Sequence, residues 1–160
     1  MILKNYKFYR KLRCINNMKI VVGGIIKKDN KILLIQEAKE SCYGMWNIPA
    51  GKLEKNEFIK DGALREIKEE TGLDAKLDGI IQIGNQTIDD DKLIYIIFSA
   101  NVENITEGWH TEETLQTKLF TIEEIKNMKD LIRSYDFLSL AIEKVLNDEI
   151  MPLNLIEEIR

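Results

Sequence analysis

Between Gly51 and Leu73 the chain reads GKLEKNEFIKDGALREIKEETGL, which sets Glu66, Glu69 and Glu70 three and four residues apart. On a helix that spacing brings the carboxylates to one side, within roughly a quarter to a third of the circumference. Carboxylates this close repel one another, because like charges one turn apart destabilise a helix. A cation relieves the repulsion, and grouped hard oxygen donors suit magnesium and the phosphate chemistry it supports. For an isolated E-x-x-E-E the alternative is a solvated acidic face.

Local signals place these residues on a helix of about residues 57–71. Asn56 can cap its start, and Glu57 sits in the first turn, where the helix dipole favours negative charge. Gly72 can take the left-handed conformation that ends a helix. Ile59, Ala63, Leu64 and Ile67 form the stripe expected to be buried. Gly62 costs about 1 kcal/mol relative to alanine in mid-helix. Its missing side chain is expected to leave room for metal or phosphate.

The stretch resembles the Nudix box, G-x5-E-x7-R-E-U-x-E-E-x-G-U with U a bulky apolar residue, and every defined position matches. The resemblance implies an α/β class, the Nudix fold: an α/β/α sandwich around a central mixed sheet, with the box as a loop–helix–loop. It implies metal-dependent hydrolysis of a nucleoside diphosphate linked to another group. Glu66, Glu69 and Glu70 match the metal-binding glutamates, with Mg2+ the expected cofactor and Mn2+ a substitute. Glu66 is the first choice for the base that activates water. Arg65 is expected to orient a neighbouring glutamate through a charged hydrogen bond. Gly51 would offer its carbonyl to the metal, and Glu57 would support the loop or a second metal.

The flanking run ILLIQEAKESCYGMWNIPAG, residues 32–51, is similar to the MutT-like branch, closest to the subgroup acting on 8-oxo-guanine nucleoside diphosphates. The likeness covers about residues 18–147. It implies a late carboxylate from Glu113 or its neighbour Glu112, and an Asp136 placed to hydrogen-bond a base. A solvated acidic loop and a helix-start residue are the competing readings. Trp46 and Tyr43 could stack on a base; for Trp46, core packing beside Pro49 is preferred. Residues 85–91 lack the proline common downstream of the box in ADP-ribose pyrophosphatases, and the tyrosine common there in dinucleoside polyphosphate hydrolases. The expected activity is pyrophosphohydrolysis of a nucleoside di- or triphosphate. An ADP-ribose or nucleotide-sugar hydrolase, or a non-catalytic nucleotide sensor, is the alternative.

These residues need a scaffold. Ile20–Ile26 and Ile32–Ile35 read as a hairpin about a polar turn, residues 28–31. A loop, residues 38–50, leads to the helix. Strands are expected at about residues 77–84 and 92–102, joined by Asp89-Asp90-Asp91, and at 115–120. Thr121 and Glu124 form a capping box for one helix. Another helix fits residues 134–147, with Phe137, Leu138, Leu140, Ala141 and Val145 inward. Three segments follow: a basic amino-terminal extension (1–17), the catalytic domain (18–147), and an apolar tail (148–160) able to dock on the domain or on a second subunit as a homodimer.

A chain of 160 residues with 44% hydrophobic and 31% charged residues suits one domain with a substantial core. Net charge of −4 argues against a nucleic-acid polymer as partner and leaves a small nucleotide as the expected one. No apolar run spans a bilayer, and residues 1–17 lack the apolar core of a signal peptide. Met18 could serve as a second start. Cys14 and Cys42 make no disulfide framework, so a cytoplasmic location is expected. One histidine, His110, excludes the usual zinc sites.

Overall fold

The computed structural model describes residues 18–88 and 91–159. The amino-terminal extension and two residues of the acidic turn, Asp89 and Asp90, lie outside the described residues. Seven strands form one mixed sheet in the order β3-β2-β1-β6-β5, with β4 on β1 and β7 on β2. They are β1 (Met18–Lys28), β2 (Lys31–Glu37), β3 (Trp46–Asn47), β4 (Ala50–Lys52), β5 (Ala75–Ile88), β6 (Asp91–Val102) and β7 (Thr114–Thr121). β1 and β6 run parallel over Met18–Ile26, and the remaining named pairs are antiparallel. Among the described residues the α-helices are α1 (Ile59–Thr71), α2 (Ile122–Asn127) and α3 (Tyr135–Leu146).

The layers follow from the strands' two-residue alternation. Ile20, Val22 and Ile26 of β1, with Ile96, Phe98 and Ala100 of β6, pack with Ala63 and Ile67 of α1. Ile25 and Ile97 point the other way, into a cluster with Ile125 of α2 and Leu138, Ala141, Ile142 and Val145 of α3. The sheet is therefore covered by α1 on one face and by α2 and α3 on the other, the expected α/β/α sandwich. Each fully buried isoleucine contributes about 1.5–3 kcal/mol relative to exposure.

Several local expectations shift. β3 and β4 lie within what reads as the tail of a loop, because two or three residues are too few to show an alternation. α1 begins at Ile59, with Phe58 as an extended cap that makes no side-chain bond, so Asn56 does not cap it. Glu57 stays in the loop, accepting the Glu54 N–H at 2.7 Å. Asp61 takes the acidic place in the first turn, and the tail adds a second carboxylate there: the Lys60 N–H donates to Glu158 Oε1 at 3.1 Å. Met151 of the tail exchanges two backbone bonds of 2.8 Å with Ile80, and Leu153 and Ile156 pack on the α1 side of the sheet. Gly72 ends α1 at φ 72°, its N–H donating to the Lys68 carbonyl. The Thr121–Glu124 capping box forms in both directions. In α3, Ile142 takes the core place expected of Leu140, which is exposed; a four-residue step from Leu138 reaches Ile142. No helix among the described residues is long and apolar enough to cross a membrane.

Candidate active site

The inner face of α1 is mixed. Ala63 and Ile67 meet the sheet, while Glu66 and Glu70, three residues beyond each, are buried at the mouth of the same interface. A buried carboxylate is costly unless it is paired or hydrogen-bonded. Glu70, 3% exposed, accepts the Ala50 N–H on Oε2 at 2.9 Å. Its Oε1 has no hydrogen-bond donor, and Lys39 Nζ stands 3.5 Å away. Lys39 also holds Glu113 Oε2 at 2.9 Å, which ties the late carboxylate to the cluster.

Arg65 organises the other side. Nε and Nη2 donate to the two oxygens of Glu57 at 2.9 and 2.7 Å, a bidentate pair. Nη1 donates to Glu66 Oε1 at 2.7 Å and Glu69 Oε2 at 3.1 Å, and Nη2 also reaches the Lys52 carbonyl at 3.1 Å. One guanidinium thus ties Glu66 and Glu69 of α1 to Glu57 and Lys52 of the preceding loop. Gly51 is needed beside them, because a Cβ there would lie 2.2 Å from Glu66 Oε2. Gly62 does not open space for phosphate as expected. Leu53 and Glu57 fill that space, at 2.7 and 2.9 Å from where its Cβ would be.

Burial pushes the Glu70 carboxyl up to about 8, with Glu37 and Glu66 adding like charge, while Lys39 and the Ala50 N–H oppose the rise. Burial also raises Glu66, against the pull of Arg65. Glu57 moves the other way, held low by its bonds to Arg65. Burial disfavours the Lys39 ammonium, but Glu113, Glu70 and Glu37 outweigh it and raise its pKa.

A group whose folded pKa is raised favours the protonated fold. Its stabilising contribution is fully present below the unfolded value near 4.5 and is lost as pH climbs to about 8. Without metal, the domain is therefore expected to lose stability from this group between those two values. A divalent ion binds the ionised form and competes with the proton. Magnesium should then raise the melting temperature more at pH 8 than at pH 5.5, as thermal unfolding with and without a chelator would measure. An equal rise at both values would show that Glu70 does not contribute in this way.

Among the described residues, no group of three acidic, histidine or cysteine side chains already forms a cage for a metal ion. Arg65 instead bonds one oxygen each of Glu66 and Glu69, and Lys39 bonds Glu113. The donor set still fits a hard divalent ion: Glu66, Glu69 and Glu70 offer carboxylate oxygens, Glu70 Oε1 has no donor, and Gly51 leaves the approach to Glu66 clear of a side chain.

The other expected residues divide. Trp46 is 8% exposed and sits edge-on to Phe120 with ring centres 4.7 Å apart, a place in the core. Tyr43 is 67% exposed and is not among the residues lining the cavity at Asp136, so stacking on a base bound there is not supported for either ring. Asp136 does line a cavity of about 350 Å³, with Asn85, Gln86, Tyr95, Ser134, Tyr135 and Phe137. Tyr95 packs on Phe137 at 4.9 Å and donates its hydroxyl to Gln86 Oε1 at 2.9 Å.

Sequence reasoning missed Lys39, Glu37, Asn47 and Arg133. Glu37, 2% exposed, accepts from Asn47 Nδ2 at 3.2 Å and Arg133 Nη1 at 2.9 Å on the same oxygen. One signal was available: Glu37 keeps the register of Leu33 and Ile35 on β2, and an acid at an inward position needs a partner.

The sequence model of the NUDIX domain matches residues 18–140. The 8-oxo-dGDP phosphatase NUDT18 of Homo sapiens is 26% identical over 126 residues, which is 72% of this chain and 39% of that protein. The ADP-ribose pyrophosphatase of Methanocaldococcus jannaschii is 35% identical over 102 residues, 62% of this chain and 57% of that one. The chain spans about two fifths of the length of the first curated relatives it matches, 38% and 39% for two of them. Among solved structures, a NUDIX hydrolase from Nitrosomonas europaea superposes with a TM-score of 0.81 at 24% identity, over 89% of this chain and 98% of that one, a likeness of fold. With its box complete and the family's domain matched over most of its length, this chain belongs to the Nudix family.

Proposed function

We propose that the chain is a magnesium-dependent pyrophosphohydrolase that cleaves a nucleoside di- or triphosphate, an 8-oxo-guanine nucleotide first among them, to a nucleoside monophosphate. The observation that carries this reading is the pair of buried glutamates on one face of α1, with Glu70 Oε1 left without a donor. Glu66, Glu69 and Glu70 would hold the ion, with the Gly51 carbonyl beside them. When bound, the ion supplies neutralisation of phosphate charge and a more acidic water.

The chain's own residues supply the rest. Glu66 takes the proton of the attacking water on the carboxylate oxygen that Arg65 leaves free. Arg65 keeps that carboxylate turned toward the cluster and prevents it from rotating away. As water adds to phosphorus, the anhydride bond breaks and phosphate or pyrophosphate leaves. The Asp136 cavity would take the base: Phe137 and Tyr95 offer aromatic surface, and Asp136, Asn85 and Gln86 offer donors and acceptors to a purine edge.

A second reading, hydrolysis of ADP-ribose or a nucleotide sugar, is supported by the archaeal relative's name. A phosphate-release panel with magnesium separates them, over canonical and 8-oxo nucleotides, ADP-ribose and nucleotide sugars. Preference for oxidised guanine nucleotides, abolished by chelation, is the expected result. Preference for ADP-ribose would keep the catalytic residues and replace the substrate. Binding without turnover of any compound would make the chain a sensor.

A further inference from the structure

We infer that Arg133 is a phosphate-binding residue that sets the preference for nucleotides over nucleosides, receiving the phosphates of a nucleotide whose base lies in the Asp136 cavity. The inference rests on the reading of the site given above and adds a residue that the box does not contain.

Arg133 is fixed at two levels. Its backbone N–H donates to the Trp46 carbonyl at 2.8 Å, and its neighbour Ile132 bridges to Trp46, so the residue is pinned to the core. Its side chain is tethered through Nη1 to Glu37, which is buried, holds a second donor from Asn47 on the same oxygen, and has no partner for Oε2. The Arg133 side chain as a whole is 45% exposed. It carries five N–H donors, and among the described residues the side chain uses Nη1 alone. Glu37 therefore acts as a buried anchor for a half-exposed side chain whose Nε and Nη2 bond no other described residue.

The fork stands in a particular place. Residues 134–137, which follow it directly, line the cavity. On that side burial raises the Tyr95 phenol, and the Arg133 charge opposes the rise. On the other side, Glu37, to which Arg133 is bonded, lies two residues before Lys39, whose ammonium stands 2.9 Å from Glu113 and 3.5 Å from Glu70. Arg133 is thus between the cavity and the acidic cluster. A nucleotide with its base in the cavity and its anhydride at the cluster sets its sugar and its first phosphate, the one bonded to the sugar, beside this position. A carboxylate–arginine pair near the interior is weak evidence for stability, whereas a planar fork matches phosphate oxygens two at a time.

The test compares 8-oxo-dGDP with 8-oxo-deoxyguanosine, by calorimetric binding in chelator and by steady-state kinetics in magnesium. R133Q is expected to weaken 8-oxo-dGDP binding and raise its KM by about 10- to 100-fold, the loss of a charged hydrogen bond. Binding of 8-oxo-deoxyguanosine should stay within about twofold, and R133K should recover part of the loss. Because R133Q leaves Glu37 unpaired, the double variant E37Q/R133Q is measured beside it as a folded control without that charge. Unchanged diphosphate affinity in either folded variant would overturn the inference while leaving the wild-type reaction standing. Equal losses for diphosphate and nucleoside would overturn it too, since that pattern marks a structural role. A wild-type protein that neither binds nor turns over a nucleotide would remove the reading of the site and this inference with it.

Discussion

Replacing Glu66 with Gln is expected to lower kcat by about 10²- to 10⁴-fold, the range for losing a positioned general base. The substitution keeps the side chain's shape and leaves an oxygen to accept from Arg65 Nη1, so the 2.7 Å contact can persist. It removes a charge that burial already disfavours. The variant should therefore be at least as stable as the wild type in metal-free buffer, and its KM should change far less than its kcat. Activity and thermal unfolding measured on one preparation make the comparison. A loss of activity that tracks a loss of stability would instead mark Glu66 as structural. An active and stable variant would move the base to Glu69 or Glu70.

Replacing Arg65 with Ala is expected to cost about 2–3 kcal/mol of stability in metal-free buffer. Breaking a fully buried ion pair costs about 3–5 kcal/mol, because the abandoned charge remains desolvated; Arg65 keeps a quarter of its surface exposed, so solvent softens the loss. What is abandoned is unusual in number: Glu57 loses both its bonds to the guanidinium, and Glu66, Glu69 and the Lys52 carbonyl lose theirs. Arg65→Lys restores charge but not the fork, and should recover less than half of the loss. Activity should fall about 10- to 100-fold through misorientation of Glu66, as for other groups that orient ligands. Urea unfolding measures the first effect. A change within about 0.5 kcal/mol would reduce the network to an ordinary surface pair.

What the sequence made legible is what depends on near neighbours. The Gly51–Leu73 spacing determines which carboxylates share a helix face, and Thr121 and Glu124, three residues apart, make their capping box wherever the domain folds around them. The layers were implied by the resemblance of the box alone, because β1 and β6 are apolar on successive residues and their own pattern assigns no face. The rest depends on residues distant in the chain. Glu37 and Arg133 are 96 residues apart, and only folding brings them together. Lys39 reads as one charge in a polar loop until β2 and α1 place it between Glu70 and Glu113. The cap of α1 comes from Glu158, which no local rule connects to Lys60. Trp46 was ambiguous because aromatic residues serve cores and bases alike; its packing partner Phe120 is contributed by β7, far along the chain, which no local pattern announces.

The most direct test of the central claim is hydrolysis in ¹⁸O-water. The wild-type protein is incubated with 8-oxo-dGDP and magnesium, with and without chelator, and the products are weighed by mass spectrometry. The expected products are nucleoside monophosphate and phosphate, with one labelled oxygen on one of them, and none form once the metal is removed. Intact diphosphate after prolonged incubation with magnesium, or products that form equally well in chelator, would contradict it.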